Sequence, residues 1–126
     1  MYRIKGLHHA SFLVSELARA ERFYTGILGM EILPRPDLGY PGLWLKLGPQ
    51  QQLHLMELPD PDFDRERPQH GGRDRHIALH IDNLEALVER LQQGQIPYTL
   101  SRSGRRALFC RDPDGNAIEF IEESGQ

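Results

Sequence analysis

At 126 residues, with 39% hydrophobic and 26% charged side chains, the chain reads as one globular domain with a real core rather than a disordered segment. A net charge of −3 at pH 7 and a pI near 6.0 argue against a nucleic-acid partner, and no apolar run approaches the length of a membrane span. The single cysteine, Cys110, excludes an intrachain disulfide and a multi-cysteine zinc site, and Met1–Gly6 shows no signal-peptide pattern, so a cytoplasmic location is expected.

Leu7 to Val14 is a mostly apolar run of strand length, followed by Ser15, a residue type able to cap a helix. Leu17, Ala20, Tyr24 and Ile27 then recur at helical spacing until Gly29 stops the pattern. Met30–Leu33, Leu43–Leu47 and Gln52–Leu58 are predicted strands, with a Gly48-Pro49 turn between the last two. Pro59 to Gly72 is polar, proline-flanked and glycine-ended, and reads as a linker. The order then repeats. His76–Ile81 is a predicted strand and Asp82 a candidate cap. Leu84, Leu87 and Leu91 mark a helix ended by Gly94. Tyr98–Ser101, Arg106–Arg111 and Ala117–Glu122 follow as strands, with an Asp112-Pro113-Asp114-Gly115 turn before the last.

An offset of 67 residues lays His9 on His76, Val14 on Ile81, Ser15 on Asp82, Leu17 on Leu84, Ala20 on Leu87 and Tyr24 on Leu91. An offset of 65 lays His54, in the last strand of the first half, on Glu119 in the last strand of the second. The chain therefore divides into two βαβββ modules, 1–58 and 73–126, joined by the linker 59–72, in an α+β fold of curved mixed sheets.

Each module carries one metal-capable residue early in its first strand and one in its last. If those strands adjoin in a curved sheet, His9, His54, His76 and Glu119 converge on one cavity. Imidazole and carboxylate together suit a divalent ion such as Zn, Ni, Co, Mn or Fe(II). Glu119 carries the most weight, because a carboxylate inside Ala117-Ile118-Glu119-Phe120-Ile121 is costly unless paired or metal-bound. His8 is expected to face away from His9 by strand alternation. Trp44 and Phe109 either line the cavity or fill the core. Arg102, Arg105, Arg106 and Arg111 form either solvated strand edges or an anion-binding wall. Cys110 is expected to pack rather than react.

Gly6-Leu7-His8-His9-Ala10-Ser11-Phe12, Phe23-Tyr24 and Leu28-Gly29-Met30 resemble the first module of the vicinal-oxygen-chelate superfamily, and Arg75–Leu79 with Asp112–Phe120 resembles its second. That group includes glyoxalase I, methylmalonyl-CoA epimerase, fosfomycin-resistance transferases, extradiol dioxygenases and bleomycin-binding proteins. The resemblance implies a metal cavity with His9, His76 and Glu119 as ligands. His54, as fourth ligand or proton carrier, stands where glyoxalase I has a metal-binding glutamate. It further implies isomerase, lyase or thiol-transfer chemistry on a small anionic substrate, with Arg111, Trp44 and Phe109 as substrate contacts. The alternatives are an Fe(II) extradiol-type dioxygenase and a metal-free antibiotic-binding protein. Small two-module relatives pair as homodimers, His9 of one subunit meeting His76 and Glu119 of the other, whereas a monomer would close both modules on each other.

Overall fold

β1 (His9–Val14), α1 (Leu17–Glu21), β2 (Ile32–Leu33), β3 (Gly42–Leu47) and β4 (Gln51–Glu57) make the first module in a computed structural model that describes residues 1–123. β5 (His76–Ile81), α2 (Leu84–Gln93), β6 (Tyr98–Leu100), β7 (Ala107–Arg111) and β8 (Ala117–Glu122) repeat it. The last three positions assigned to the second module, 124–126, lie outside the described residues. The strand orders are β1-β4-β3-β2 and β5-β8-β7-β6, with the first strand of each module parallel to its last and the other pairs antiparallel. The two expected βαβββ modules are therefore present as one α+β fold with mixed sheets. Among the described residues no helix is long and apolar enough to cross a membrane.

The helices owe their faces to apolar spacing and their starts to distant carboxylates. Leu84, Leu87 and Leu91 bury one side of α2, as their three- and four-residue spacing requires. α1 runs into a π-helical turn, Arg22–Ile27, which buries Phe23 and Tyr24, and Gly29 follows at φ +74. The expected caps, Ser15 and Asp82, are not the capping residues. Glu16 and Asn83 hold those positions, and Asn83 accepts from the Ala86 N–H at 3.0 Å. Glu57 and Glu122, equivalent residues ending β4 and β8, accept from the first helical N–H groups of Leu17 and Leu84 at 2.8 and 3.0 Å. A carboxylate brought in by the sheet thus does at both helix starts what a local side chain usually does.

One core joins the modules: Val14, Phe23, Leu45, Leu53 and Leu55 share a cluster with Leu91, Leu108, Ile118 and Phe120. Polar ties cross the same junction. Tyr24 Oη donates to Asp112 Oδ2 at 2.7 Å, and Asn116 Nδ2 donates to the Leu13 carbonyl at 3.0 Å. Ser15 Oγ donates to Asp114 at 2.6 Å, and Arg90 reaches the carbonyls of Gly26 and Ile27 from α2. Burial raises the Asp112 carboxyl above its ordinary range, while bonds from Asn116 and Tyr24 act the other way. Burial and the neighbouring Asp112 raise the Tyr24 phenol well above its own. Tyr24→Phe keeps the ring and removes the donor, so it is expected to cost about 1–3 kcal/mol of stability. Chemical denaturation checks this, and an unchanged midpoint would show that the bond contributes nothing.

The segment read as a linker, 59–72, is fastened to the second module. Arg67 pairs with Asp74 at 3.4 Å, Asp62 with Arg75 at 3.3 Å, and Arg111 donates to the Pro68 carbonyl at 2.5 Å. Gly71 is buried so closely that a Cβ there would lie 3.3 Å from the Cβ of Phe109. Its polarity reflects ion pairing with the module, not freedom from it.

Candidate metal centre

The registers place the expected donors at equivalent points of the two sheets. His54 lies between Ser11 on β1 and Trp44 on β3, while Glu119 lies between Ala78 on β5 and Phe109 on β7. His9 is two residues before Ser11 and His76 two before Ala78, so each shares a sheet face with the donor in its own module. The repeat thus yields two donor pairs.

In the first module the His9 and His54 rings stack with centroids 3.9 Å apart and planes 16° from parallel. Trp44 stacks with His54 at 4.5 Å and 8°. β4 lies between β1 and β3, so His54 is held between an imidazole and an indole. Its Nε2 donates to Gln52 Oε1 at 2.8 Å, which leaves Nδ1 with the lone pair. Burial first, then the nearby His9, His8 and Arg35, lowers its pKa to about 4, and the ring is neutral at neutral pH. His8 departs from the expectation set by alternation. β1 begins only at His9, and the Nδ1 atoms of His8 and His9 lie 2.9 Å apart as a hydrogen-bonded pair.

In the second module His76 Nδ1 donates to the Asp74 carbonyl at 2.8 Å, so the lone pair sits on Nε2 when the ring is neutral. That nitrogen is 3.4 Å from Glu119 Oε1. Two ligands of one tetrahedral ion at bonds of about 2.1 Å stand ~3.4 Å apart, so this spacing fits a shared divalent cation. Glu119 is 3% exposed, and its Oε2 accepts from Arg105 Nη2 at 3.0 Å. Phe109 meets His76 edge to face at 5.2 Å.

Within one chain the four donors do not converge. Among the described residues no group of three or more His, Cys, Asp or Glu side chains is placed to hold one ion. The structure brings together His9 with His54 and His76 with Glu119, and keeps the two pairs apart. A cavity of about 410 Å³ includes His76 in its lining, along with Ser11, Arg67 and Arg75. The cavity of about 640 Å³ around Leu58 and Phe63 contains none of the four donors.

The expected substrate contacts divide. Trp44 and Phe109 occupy equivalent positions and each packs against a donor imidazole. Arg111 is instead tied into the framework, with Nη1 donating to Asp74 at 2.8 Å and to the Gly115 carbonyl at 2.7 Å. Sequence reasoning missed His70. Its Nδ1 lies 2.8 Å from Thr99 Oγ1, and its ring meets Phe109 edge to face at 4.9 Å. The signal was the following Gly71-Gly72, since a Cβ at Gly72 would come within 2.8 Å of His70 Nε2. Cys110 is buried, and burial raises its thiol pKa to about 12, as expected of a packing residue.

Comparison with known proteins agrees with this architecture. The profile of the Glyoxalase/Bleomycin resistance protein/Dioxygenase superfamily matches residues 6–120. The lactoylglutathione lyase of Salmonella typhimurium is 32% identical over 92% of this chain and 91% of its own. The fosfomycin resistance protein FosX of Listeria monocytogenes superposes with a TM-score of 0.77 at 19% identity, over 97% of this chain and 94% of its own. An antibiotic binding protein from a Streptomyces species superposes with a TM-score of 0.74 at 24% identity, over 98% of this chain and all of its own.

Proposed function

This chain belongs to the Glyoxalase/Bleomycin resistance protein/Dioxygenase superfamily, and from that premise we propose that it is a metal-dependent enzyme acting on a small anionic substrate with two neighbouring oxygens. The observation that carries this reading is the His76–Glu119 pair. A lone-pair nitrogen and a buried carboxylate oxygen stand 3.4 Å apart, the separation of two ligands on one ion. In this reading His9, His76 and Glu119 hold the ion, which supplies Lewis acidity toward the chelated oxygens and stabilises negative charge that develops there. His54 is the fourth ligand, and its pKa of about 4 favours that role over proton carriage near neutral pH. Trp44 and Phe109 each pack a ring against one imidazole of these pairs, His54 and His76, and so hold its orientation. Because each chain carries two half-sets, the complete site forms between two copies of the chain.

The lactoylglutathione lyase similarity supports the lyase and isomerase branch of this chemistry. His54, in place of the glutamate of glyoxalase I, points to a different proton path and therefore a different substrate. The test is metal analysis after reconstitution with Zn, Ni, Co, Mn and Fe(II) in turn, with turnover measured on the glutathione–methylglyoxal adduct and on a catechol. About one ion per chain is expected. No bound ion from any of the five would overturn the reading in favour of a metal-free binding protein. Iron alone, with catechol ring opening, would assign the chain to the dioxygenase branch.

A further inference from the structure

Glu119 is a buried carboxylate, and such a group needs a compensating charge whenever no metal is bound. Its Oε2 accepts from Arg105 Nη2 at 3.0 Å, and this is the only hydrogen bond to its side chain among the described residues. Arg105 lies on the segment joining β6 to β7, beside Gly104 at φ +87, and its side chain is 56% exposed. Its guanidinium has no other partner among the described residues, unlike two arginines near it. Arg106 is paired with Glu122, and Arg111 is tied to Asp74, Gly115 and Pro68. Arg105 is thus anchored at one point only, and that point is a candidate metal ligand.

The repeat sharpens the contrast. At the offset of 65 that relates β3 to β7, the position of Arg105 in the first module is Tyr40. The donor it accompanies there is His54, an imidazole rather than a carboxylate. The cation of that region, Arg35, is spent on the Tyr40 carbonyl at 3.0 Å and on its ring at 5.0 Å. An arginine stands only where the donor is an anion.

We propose that Arg105 is the resident counter-cation of Glu119, displaced when a divalent ion takes the carboxylate and then used to bind the anionic group of the substrate. This rests on the metal reading above. A divalent ion at Glu119 replaces one compensating charge with two and repels the guanidinium, whose exposed stem lets it swing outward. Its planar fork is then free beside the site and matches a carboxylate or phosphonate in two parallel bonds. The substrate class follows: two adjacent oxygens for the ion, with an oxyanion within one arginine's reach of them.

The test uses the full chain, stripped of metal and titrated calorimetrically with Zn(II) alone. Variants are Arg105→Gln, Arg105→Lys and, as a control for net charge on the same segment, Arg102→Gln. Arg105→Gln is expected to bind Zn(II) about 10-fold more tightly than wild type, because the ion no longer competes with a guanidinium. Arg102→Gln is expected to stay within about 2-fold, its charge being screened by solvent. Methylphosphonate added to the Zn(II)-loaded proteins is expected to bind about 10-fold more weakly to Arg105→Gln, with partial recovery in Arg105→Lys. Unchanged or weaker Zn(II) binding in Arg105→Gln, or equal effects of the two glutamine variants, would overturn the counter-cation role. Equal methylphosphonate binding would overturn the substrate role. Where Zn(II) binds to no form, the titration is repeated with Ni, Co, Mn and Fe(II), and absence of binding by all five would overturn the metal reading itself, a result distinct from equal binding.

Discussion

Glu119→Gln is expected to weaken divalent-ion binding by more than about 100-fold, since even groups one step behind metal ligands contribute 10- to 100-fold. The substitution keeps the side-chain shape inside β8, where Ile118 and Phe120 pack on either side, and removes only the negative charge. Thermal unfolding reads the effect without any substrate. An ion at 100 times its dissociation constant stabilises the folded protein by about 2.7 kcal/mol. Wild type should therefore melt higher with the ion than without it, while Glu119→Gln should melt at the same temperature in both. Elemental analysis of the reconstituted proteins gives the second readout. A variant that melts cooperatively without metal and gains as much stability with it as wild type does would show that Glu119 is not a ligand.

The repeat was legible because it is written in residues whose chemistry is hard to hide. The offset of 67 on the first strands and 65 on the last strands reappears in the sheet registers. His9 faces Gln52 as His76 faces Ala117, and His54 faces Trp44 as Glu119 faces Phe109. Strand alternation then sets the faces without further information. The helix starts at Leu17 and Leu84 were legible, but the groups that cap them were not. Ser15 and Asp82 are local candidates, whereas Glu57 and Glu122 reach their helices only after the sheet has formed. Ser15 instead donates to Asp114 across 99 residues of sequence, a contact no local pattern encodes.

The ties of the linker lay equally beyond the sequence: Asp62 and Arg67 pair with Arg75 and Asp74, and the Pro68 carbonyl accepts from Arg111. The same ties moved Arg111 from the expected substrate wall into the framework and brought His70 onto Phe109. Arg105 was seen only as one cation among four, because its meaning lies in a single 3.0 Å contact with Glu119. The repeat placed His9, His54, His76 and Glu119 at equivalent strand positions, but which cations touch them is a property of the folded surface.

Mixing His9→Ala and Glu119→Ala proteins is expected to restore metal binding that neither has alone. The argument starts from the two pairs. His9 stacks on His54 in the first module and His76 meets Glu119 in the second, and among the described residues of one chain no three such donors are placed around one ion. The shared core, with the Tyr24–Asp112 and Asn116–Leu13 bonds, holds the two modules together in this relation. A second copy related by two-fold symmetry completes both sites at once. In a mixed dimer, one site receives both substitutions and the other receives none. With random exchange about a quarter of all sites are then intact, so Zn(II) stoichiometry should rise from near zero to about 0.25 per chain. Dimer mass and subunit exchange are established first by native mass spectrometry on chains carrying two isotopic labels. Exchange without any recovery of bound Zn(II) would show that the ligand set is assembled inside a single chain. The predicted recovery would also make ion affinity depend on protein concentration, because dimer formation and metal binding then share one equilibrium.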